Sequence, residues 1–177
     1  MKLEMNKLVK RRRVTDYLLY SIIILLGIGL DQLTKYLAIQ YIKPVDTVPI
    51  IQGVLHLTYH TNDGCAFGML DDMPILFNTV SIVVIIGMSL FLYFGHVENR
   101  LAAIASAMII SGGIGNMIER IAYGEVTDFI DFRLINFAIF NGADSFVCVG
   151  AALLILSLIL ELISESKNSK SAGEKAK

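Results

Sequence analysis

The sequence has few charged residues and few cysteines, and both shortages limit what the protein can be. Charged residues make up 18% of the 177 residues, whereas a typical soluble domain has about 25%. Hydrophobic residues make up 55%, so we infer that much of the surface faces lipid. The two cysteines, Cys65 and Cys148, are too few for a disulfide framework or a metal knuckle. The formal net charge of −1 provides no basic field for nucleic acid.

Motifs of several enzyme classes are also absent from the sequence. It has no Ser-His or Cys-His arrangement for nucleophilic catalysis, and no glycine loop followed by a helix with a lysine for phosphate binding. His56 and His60 lie on a strand pattern without a clear third ligand, so we predict no metal and no other cofactor. Internal repeats and interdomain linkers are not visible, which favours one domain.

Long apolar runs dominate the chain. Helices that cross the hydrocarbon core need about 20 residues, and four runs are long enough. We predict membrane-spanning helices at about 17–38, 75–94, 101–118 and 145–163. The first run follows a basic segment, as in a secretory signal, but no small-x-small cleavage site closes it. We therefore predict an all-α membrane protein whose four transmembrane helices form one domain over 17–163.

The distribution of basic residues predicts the orientation of these helices. Of the 15 lysines and arginines, 11 lie before the first span, in the 95–100 loop or after the fourth span. The positive-inside rule then places both termini in the cytoplasm. We predict a basic cytoplasmic N-terminus over 1–16 and a flexible cytoplasmic tail over 164–177, where small and polar residues prevail.

Two connections, 39–73 and 119–143, would then face outward. In the first, Leu55, Leu57 and Tyr59 alternate with polar residues, which is the period of a β-strand. We predict a small extracytoplasmic β-element on the outer membrane surface.

Acidic residues near the ends of the apolar spans are the strongest candidates for function. A carboxylate at membrane depth costs about 2.5–3.5 kcal/mol even on a lenient insertion scale, so a partner or a function must offset the cost. Asp31 has a partner one helical turn away in Lys35. We predict a structural or substrate-positioning role for Asp31.

Asp128 and Asp144 have no such local cation. Two carboxylates at one apolar boundary suggest an aspartic dyad, in which repulsion lets the pair share one proton. The ionised member would activate water and the neutral member would hydrogen-bond the scissile carbonyl. From spacing alone, solvated acids at helix ends remain the alternative.

The third span ends in a glycine-rich stretch. Gly112, Asn116 and Arg120 recur every four residues and share one helix face. The amide and the guanidinium could brace carboxylates or hold a substrate backbone, whereas the glycines alone would only allow close helix packing.

Taken together, these segments resemble the lipoprotein signal peptidases (signal peptidase II). The resemblance covers the chain from Leu30 to Ile163, and five blocks follow the family's order. The blocks are Asp31-Gln32 with Lys35, Asn62 to Gly68, Gly112 to Arg120, Gly124 to Phe129, and Phe140 to Ser145. Glu119 departs from the pattern, because the family usually has aspartate there and the extra methylene moves the charge by about 1.5 Å.

The resemblance implies an intramembrane aspartic endopeptidase of the bacterial cytoplasmic membrane, with its active site on the extracytoplasmic side. Its substrate would be a diacylglyceryl prolipoprotein, cleaved just before the lipidated cysteine, and its activity would need no metal and be inhibited by globomycin. Asp128 and Asp144 fall on the catalytic pair. The positions that would shape the site or hold the substrate are Asp31, Asn62, Asn116, Arg120 and Asn141.

Partners other than this substrate and membrane lipid are not implied, and we predict a monomer. Two alternatives of other classes remain open from the sequence. Intramembrane acids also mark ion paths, so a small ion- or proton-coupled transporter is one. A non-enzymatic assembly subunit, with surface-anchoring acids, is the other.

Overall fold

The computed structural model describes residues 14–62, 74–95, 97 and 99–175, and within them it has four α-helices and three β-strands. The helices are α1 (Val14–Leu37), α2 (Pro74–Phe94), α3 (Arg100–Tyr123) and α4 (Gly142–Lys175). The strands are β1 (Thr47–Ile51), β2 (Leu55–Asn62) and β3 (Val126–Asp131). A π-helical turn, Ala38–Ile42, and a 3₁₀ turn, Lys43–Val45, extend the first helix.

The helices confirm that this is a mostly helical, multi-pass membrane protein. Three helical segments are long and apolar enough to cross a bilayer, namely Val14–Val45, Arg100–Tyr123 and Gly142–Asn168. The apolar part of α2, Asn78–Phe94, is shorter. Four spans and cytoplasmic termini therefore stay predictions.

Two helices extend beyond their predicted ends. α3 continues past residue 118 to Tyr123, because the next residue, Gly124, adopts the left-handed conformation that ends a helix and donates its N–H to the Arg120 carbonyl. The glycine-rich stretch therefore lies inside a helix. α4 continues to Lys175, so residues 164–175 are helical where we had predicted a flexible tail.

α3 is the central helix, and α1, α2 and α4 all pack against it. Its buried side chains are mostly small, so the neighbouring helices approach closely. Gly112 is the clearest case, because a Cβ there would collide with the Ala143 carbonyl oxygen of α4. By contrast, α2 and α4 make few contacts with each other.

The three strands form an antiparallel sheet in the order β1-β2-β3, which confirms the predicted β-element. Asp128 lies in the predicted 119–143 connection, on β3, where its register partner is His60. An isolated bridge pairs Ile130 of β3 with Phe140. This bridge brings the start of α4 next to β3.

Candidate active site

Asp128 projects from β3 into a network of amides and is almost completely buried. Asn62 Nδ2 donates to its Oδ2 over 3.0 Å. Asn141 Nδ2 donates to its Oδ1 over 2.6 Å. Each carboxylate oxygen of Asp128 therefore has an amide donor.

Asp144 lies in the first turn of α4 and is part-buried. Asn116 Nδ2 of α3 donates to its Oδ1 over 2.7 Å, and the backbone N–H of Asn141 donates to its Oδ2 over 3.1 Å. In return, the Asp144 N–H donates to Asn141 Oδ1 over 3.0 Å. This reciprocal pair satisfies N–H groups at the helix start.

Asn141 connects the two carboxylates directly. It is fully buried and contacts both Asp128 and Asp144 through the bonds described above. Its amide also donates to Asn116 Oδ1 over 3.0 Å. The two acids predicted to act as a dyad are therefore neighbours in one hydrogen-bonded network.

Both carboxylates also line a single cavity of about 550 Å³. Asn62 and Asn116 line it beside the carboxylates to which they donate, and Arg120 lines it as well. Apolar side chains from α2 and α4 form much of the remaining wall, among them Val80, Val84, Ile85 and Val147. A site of this kind suits a ligand with an apolar body and one polar group to be positioned.

The buried environment changes the acidity of Asp128. Burial raises the pKa of Asp128 to about 6, and the nearby charge of Asp144 adds to the increase. Hydrogen bonds from Asn62 and Asn141 and the charge of Lys35 act in the opposite direction. Asp128 therefore holds a proton more readily than an ordinary aspartate, as the acid of a dyad must.

Lys35 is the centre of a second buried cluster next to this network. Its Nζ lies 2.9 Å from Asp31 Oδ2, which confirms the predicted pair, and 3.0 Å from Glu119 Oε2. It also donates to Asn116 Oδ1 over 2.8 Å. Asp31 Oδ1 accepts the N–H of Ala143 over 2.8 Å. The Asp31 carboxylate thus holds the start of α4.

Glu119 is a site residue whose role we did not foresee. Its Oε2 accepts the backbone N–H of Thr127, the residue before Asp128, over 3.0 Å. One sequence signal pointed to it, because Glu119 is three residues from Asn116 and so lies on a similar face of the helix. The departure from the family pattern therefore falls on a side chain that ties α3 to β3.

The structure brings together the predicted site residues from distant parts of the chain. Hydrogen bonds or ion pairs join four of them to the network, and Arg120 lines the same cavity. Those four are Asp31, Asn62, Asn116 and Asn141. The rest of the block that begins at Asn62, residues 63–68, lies outside the described residues.

No metal site is visible in the part of the chain that the structure describes, where no three His, Cys, Asp or Glu side chains lie close enough to share an ion. His56 instead accepts the backbone N–H of Gly53 through Nε2 over 3.1 Å.

The chain is similar to known proteins over most of its length. The family described as signal peptidase (SPase) II matches residues 23–160. The chain is 42% identical over 139 residues to a lipoprotein signal peptidase of Microcystis aeruginosa, covering 78% of this chain and 90% of that protein. It is 38% identical over 144 residues to a lipoprotein signal peptidase of Streptococcus pneumoniae, covering 81% and 94%.

A solved structure is also similar. A bacterial membrane enzyme determined by the in meso method at 2.3 Å resolution superposes with a TM-score of 0.72 at 32% identity, covering 81% of this chain and 88% of that one. These matches do not favour the transporter alternative. The chain belongs to the signal peptidase II family of aspartic peptidases.

Proposed function

We propose that this protein removes the signal peptide from diacylglyceryl-modified prolipoproteins by cleaving the peptide bond before the lipidated cysteine. The observation that carries the proposal is the pair Asp128 and Asp144, which are joined through Asn141 and line one mainly apolar cavity. Such a pair can activate water without a metal, because one member accepts a proton while the other donates one.

In this mechanism Asp144 starts ionised and Asp128 starts protonated. Asp144 takes a proton from a water molecule as the water oxygen attacks the scissile carbonyl carbon. Asp128 gives its proton to the carbonyl oxygen, which yields a neutral tetrahedral diol. The proton on Asp144 then passes to the nitrogen of the lipidated cysteine, Asp128 recovers the diol proton, and the C–N bond breaks.

Two features support this assignment of roles. Asp144 lies at the N-terminal end of α4, where the helix dipole favours a negative charge, and it accepts N–H groups on both oxygens. The raised pKa of Asp128 favours its neutral form. Because the two groups interact, their protonation belongs to the pair and both sites must be followed together.

The proposed placement in the membrane follows from the helix ends. With four spans and both termini in the cytoplasm, the start of α4 and the sheet lie on the extracytoplasmic side of the bacterial cytoplasmic membrane. The first residues of α1 and α3 lie at the opposite end, where Arg100 pairs with Asp16 over 3.2 Å. The diacylglyceryl chains of a substrate lie in the bilayer, so its scissile bond would reach this outer edge.

The pH dependence of the free enzyme follows from the acidity of Asp128. Its carboxyl group is neutral below about pH 6 and ionised above it. The mechanism needs one proton on the pair, so kcat/KM should fall as pH rises through about 6. Measured kcat/KM over a pH series, with a lipidated peptide, checks this limb. A kcat/KM that rises through this range would contradict the role of Asp128 as the acid.

The proposed substrate can be tested with a matched pair of peptides. We expect purified protein to cleave a diacylglyceryl prolipopeptide and release a fragment that begins with the lipidated cysteine, identified by mass spectrometry. The same peptide without diacylglycerol should be cleaved at least about tenfold less efficiently, because buried acyl chains add about 0.8 kcal/mol of binding per CH₂ group. Globomycin should block the cleavage. Equal cleavage of both peptides, or of neither, would contradict the proposal.

A further inference from the structure

The residue before each catalytic aspartate donates its backbone N–H to a buried carboxylate. Thr127 donates to Glu119 Oε2 over 3.0 Å. Ala143 donates to Asp31 Oδ1 over 2.8 Å. A side chain of α3 therefore holds the backbone next to Asp128, and a side chain of α1 holds the backbone next to Asp144 in the same way.

Lys35 joins these two side chains. Its Nζ forms ion pairs with both Asp31 and Glu119, and all three side chains are almost fully buried. It also holds Asn116, the residue that donates to Asp144. Removing one charge from such a cluster leaves another charge buried with less compensation. Replacing Lys35, Asp31 or Glu119 by a neutral residue should therefore disturb the positions of the other two side chains.

We propose that Lys35 and Glu119 are positioning residues for the reaction, setting the separation of Asp128 and Asp144 by fixing the starts of β3 and α4. This inference rests on the proposed function. Lys35 and Glu119 are not among the residues that line the cavity, so each acts through its neighbours and not on the substrate.

The length of Glu119 matters in this arrangement. A single oxygen, Oε2, contacts both Lys35 and the Thr127 N–H, each at 3.0 Å. An aspartate at this position would end about 1.5 Å short. The glutamate therefore matches the distance between α3 and β3 in this chain.

The charges around the pair predict opposite effects of two substitutions. Lys35 favours the ionised form of Asp128, so Lys35→Met should raise the pH at which Asp128 loses its proton. Glu119→Gln leaves the Lys35 charge less balanced and should lower that pH. Among the described residues, the other ionisable groups near Asp128 are Asp144 and Arg120, which line the same cavity, Asp31, which pairs with Lys35, and His60, its exposed register partner on β2.

The test compares Glu119→Gln and Lys35→Met with the parent protein. For each, it measures kcat, KM and the basic limb of the pH profile, which is the pH range in which activity falls as pH rises. Glu125→Gln is the matched control, because it makes the same change in an exposed acid just before β3. We expect kcat to fall by about 10- to 100-fold in the first two variants with little change in KM, as for a misplaced catalytic group. Their basic limbs should move in opposite directions. The control should keep the parent kcat and limb.

Several outcomes would overturn the inference. A purely structural role would lower thermal stability in detergent but leave the kcat and the basic limb of the folded fraction unchanged. Limbs that move in the same direction would also contradict it. If Lys35→Met yields no folded protein, Glu119→Gln alone tests the inference: its basic limb must move to lower pH, and a limb that stays in place or moves to higher pH rejects the inference. Variants of Asp128 and Asp144 test the proposed function separately. If those variants are inactive while Glu119→Gln keeps the parent kcat and pH profile, only this inference is rejected and the proposed function stands.

Discussion

Replacing either Asp128 or Asp144 by asparagine should lower kcat by at least about 10³-fold, within the range that one acid–base group contributes. Asparagine keeps the shape of the side chain and can still hydrogen-bond. It can neither take a proton from water nor deliver one to a carbonyl oxygen. Cleavage of the lipidated peptide by the purified variants, followed by mass spectrometry, measures the loss.

The control for these variants is Asp46→Asn, which makes the same change in an exposed aspartate after the first helix. Asp46 has a positive φ of 65°, a conformation that asparagine also tolerates. We expect its kcat to equal that of the parent. Thermal unfolding in detergent verifies that each dyad variant is folded. A folded dyad variant with near-parent activity would reject the catalytic assignment.

Asn141→Asp should lower kcat by about 100-fold or more, which corresponds to about 2.7 kcal/mol in the activation barrier. The substitution removes the N–H groups that Asn141 donates to Asp128 and to Asn116. It also places a third carboxyl group between Asp128 and Asp144, and repulsion between neighbouring carboxylates disfavours the ionisation of all three. The dyad would therefore carry more protons at neutral pH.

Activity across the pH range separates this explanation from simple misfolding. The acidic carboxyl added by Asn141→Asp should displace the pH profile as well as lower its maximum. Asn136→Asp is the matched control, because Asn136 is exposed in the same connection and its left-handed conformation accepts aspartate. An Asn141→Asp variant with the parent profile would show that the bridge between the carboxylates is dispensable.

Much of the fold could be predicted because apolar runs and membrane thickness together specify the helices. The β3 strand could not be predicted, because its residues are buried on both faces and so show no clear alternation. The helical end of α4 was missed for another reason. Its small and polar residues suggest disorder in isolation, yet they extend a helix whose costly nucleation is already complete.

The candidate site was predicted as a set of side chains but not as a network. Carboxylates near span ends are visible in a sequence because they are costly there. The support that Glu119 gives to β3 uses the backbone N–H of Thr127, which no residue type can reveal. The link through Asn141 depends on the bridge between Ile130 and Phe140, which pairs segments that are separate in the sequence.

The arrangement of the helices has a consequence for how a substrate arrives. α2 and α4 both pack on α3 but scarcely touch each other, and the cavity lies between side chains of both. A prolipoprotein anchored by its acyl chains can therefore slide in sideways from the lipid, so that its tail stays in hydrocarbon throughout the reaction. Asp128 on β3 and Asp144 at the start of α4 belong to one hydrogen-bonded network with α3, whereas α2 supplies mainly apolar side chains to the cavity, so we expect α2 to be the wall that moves.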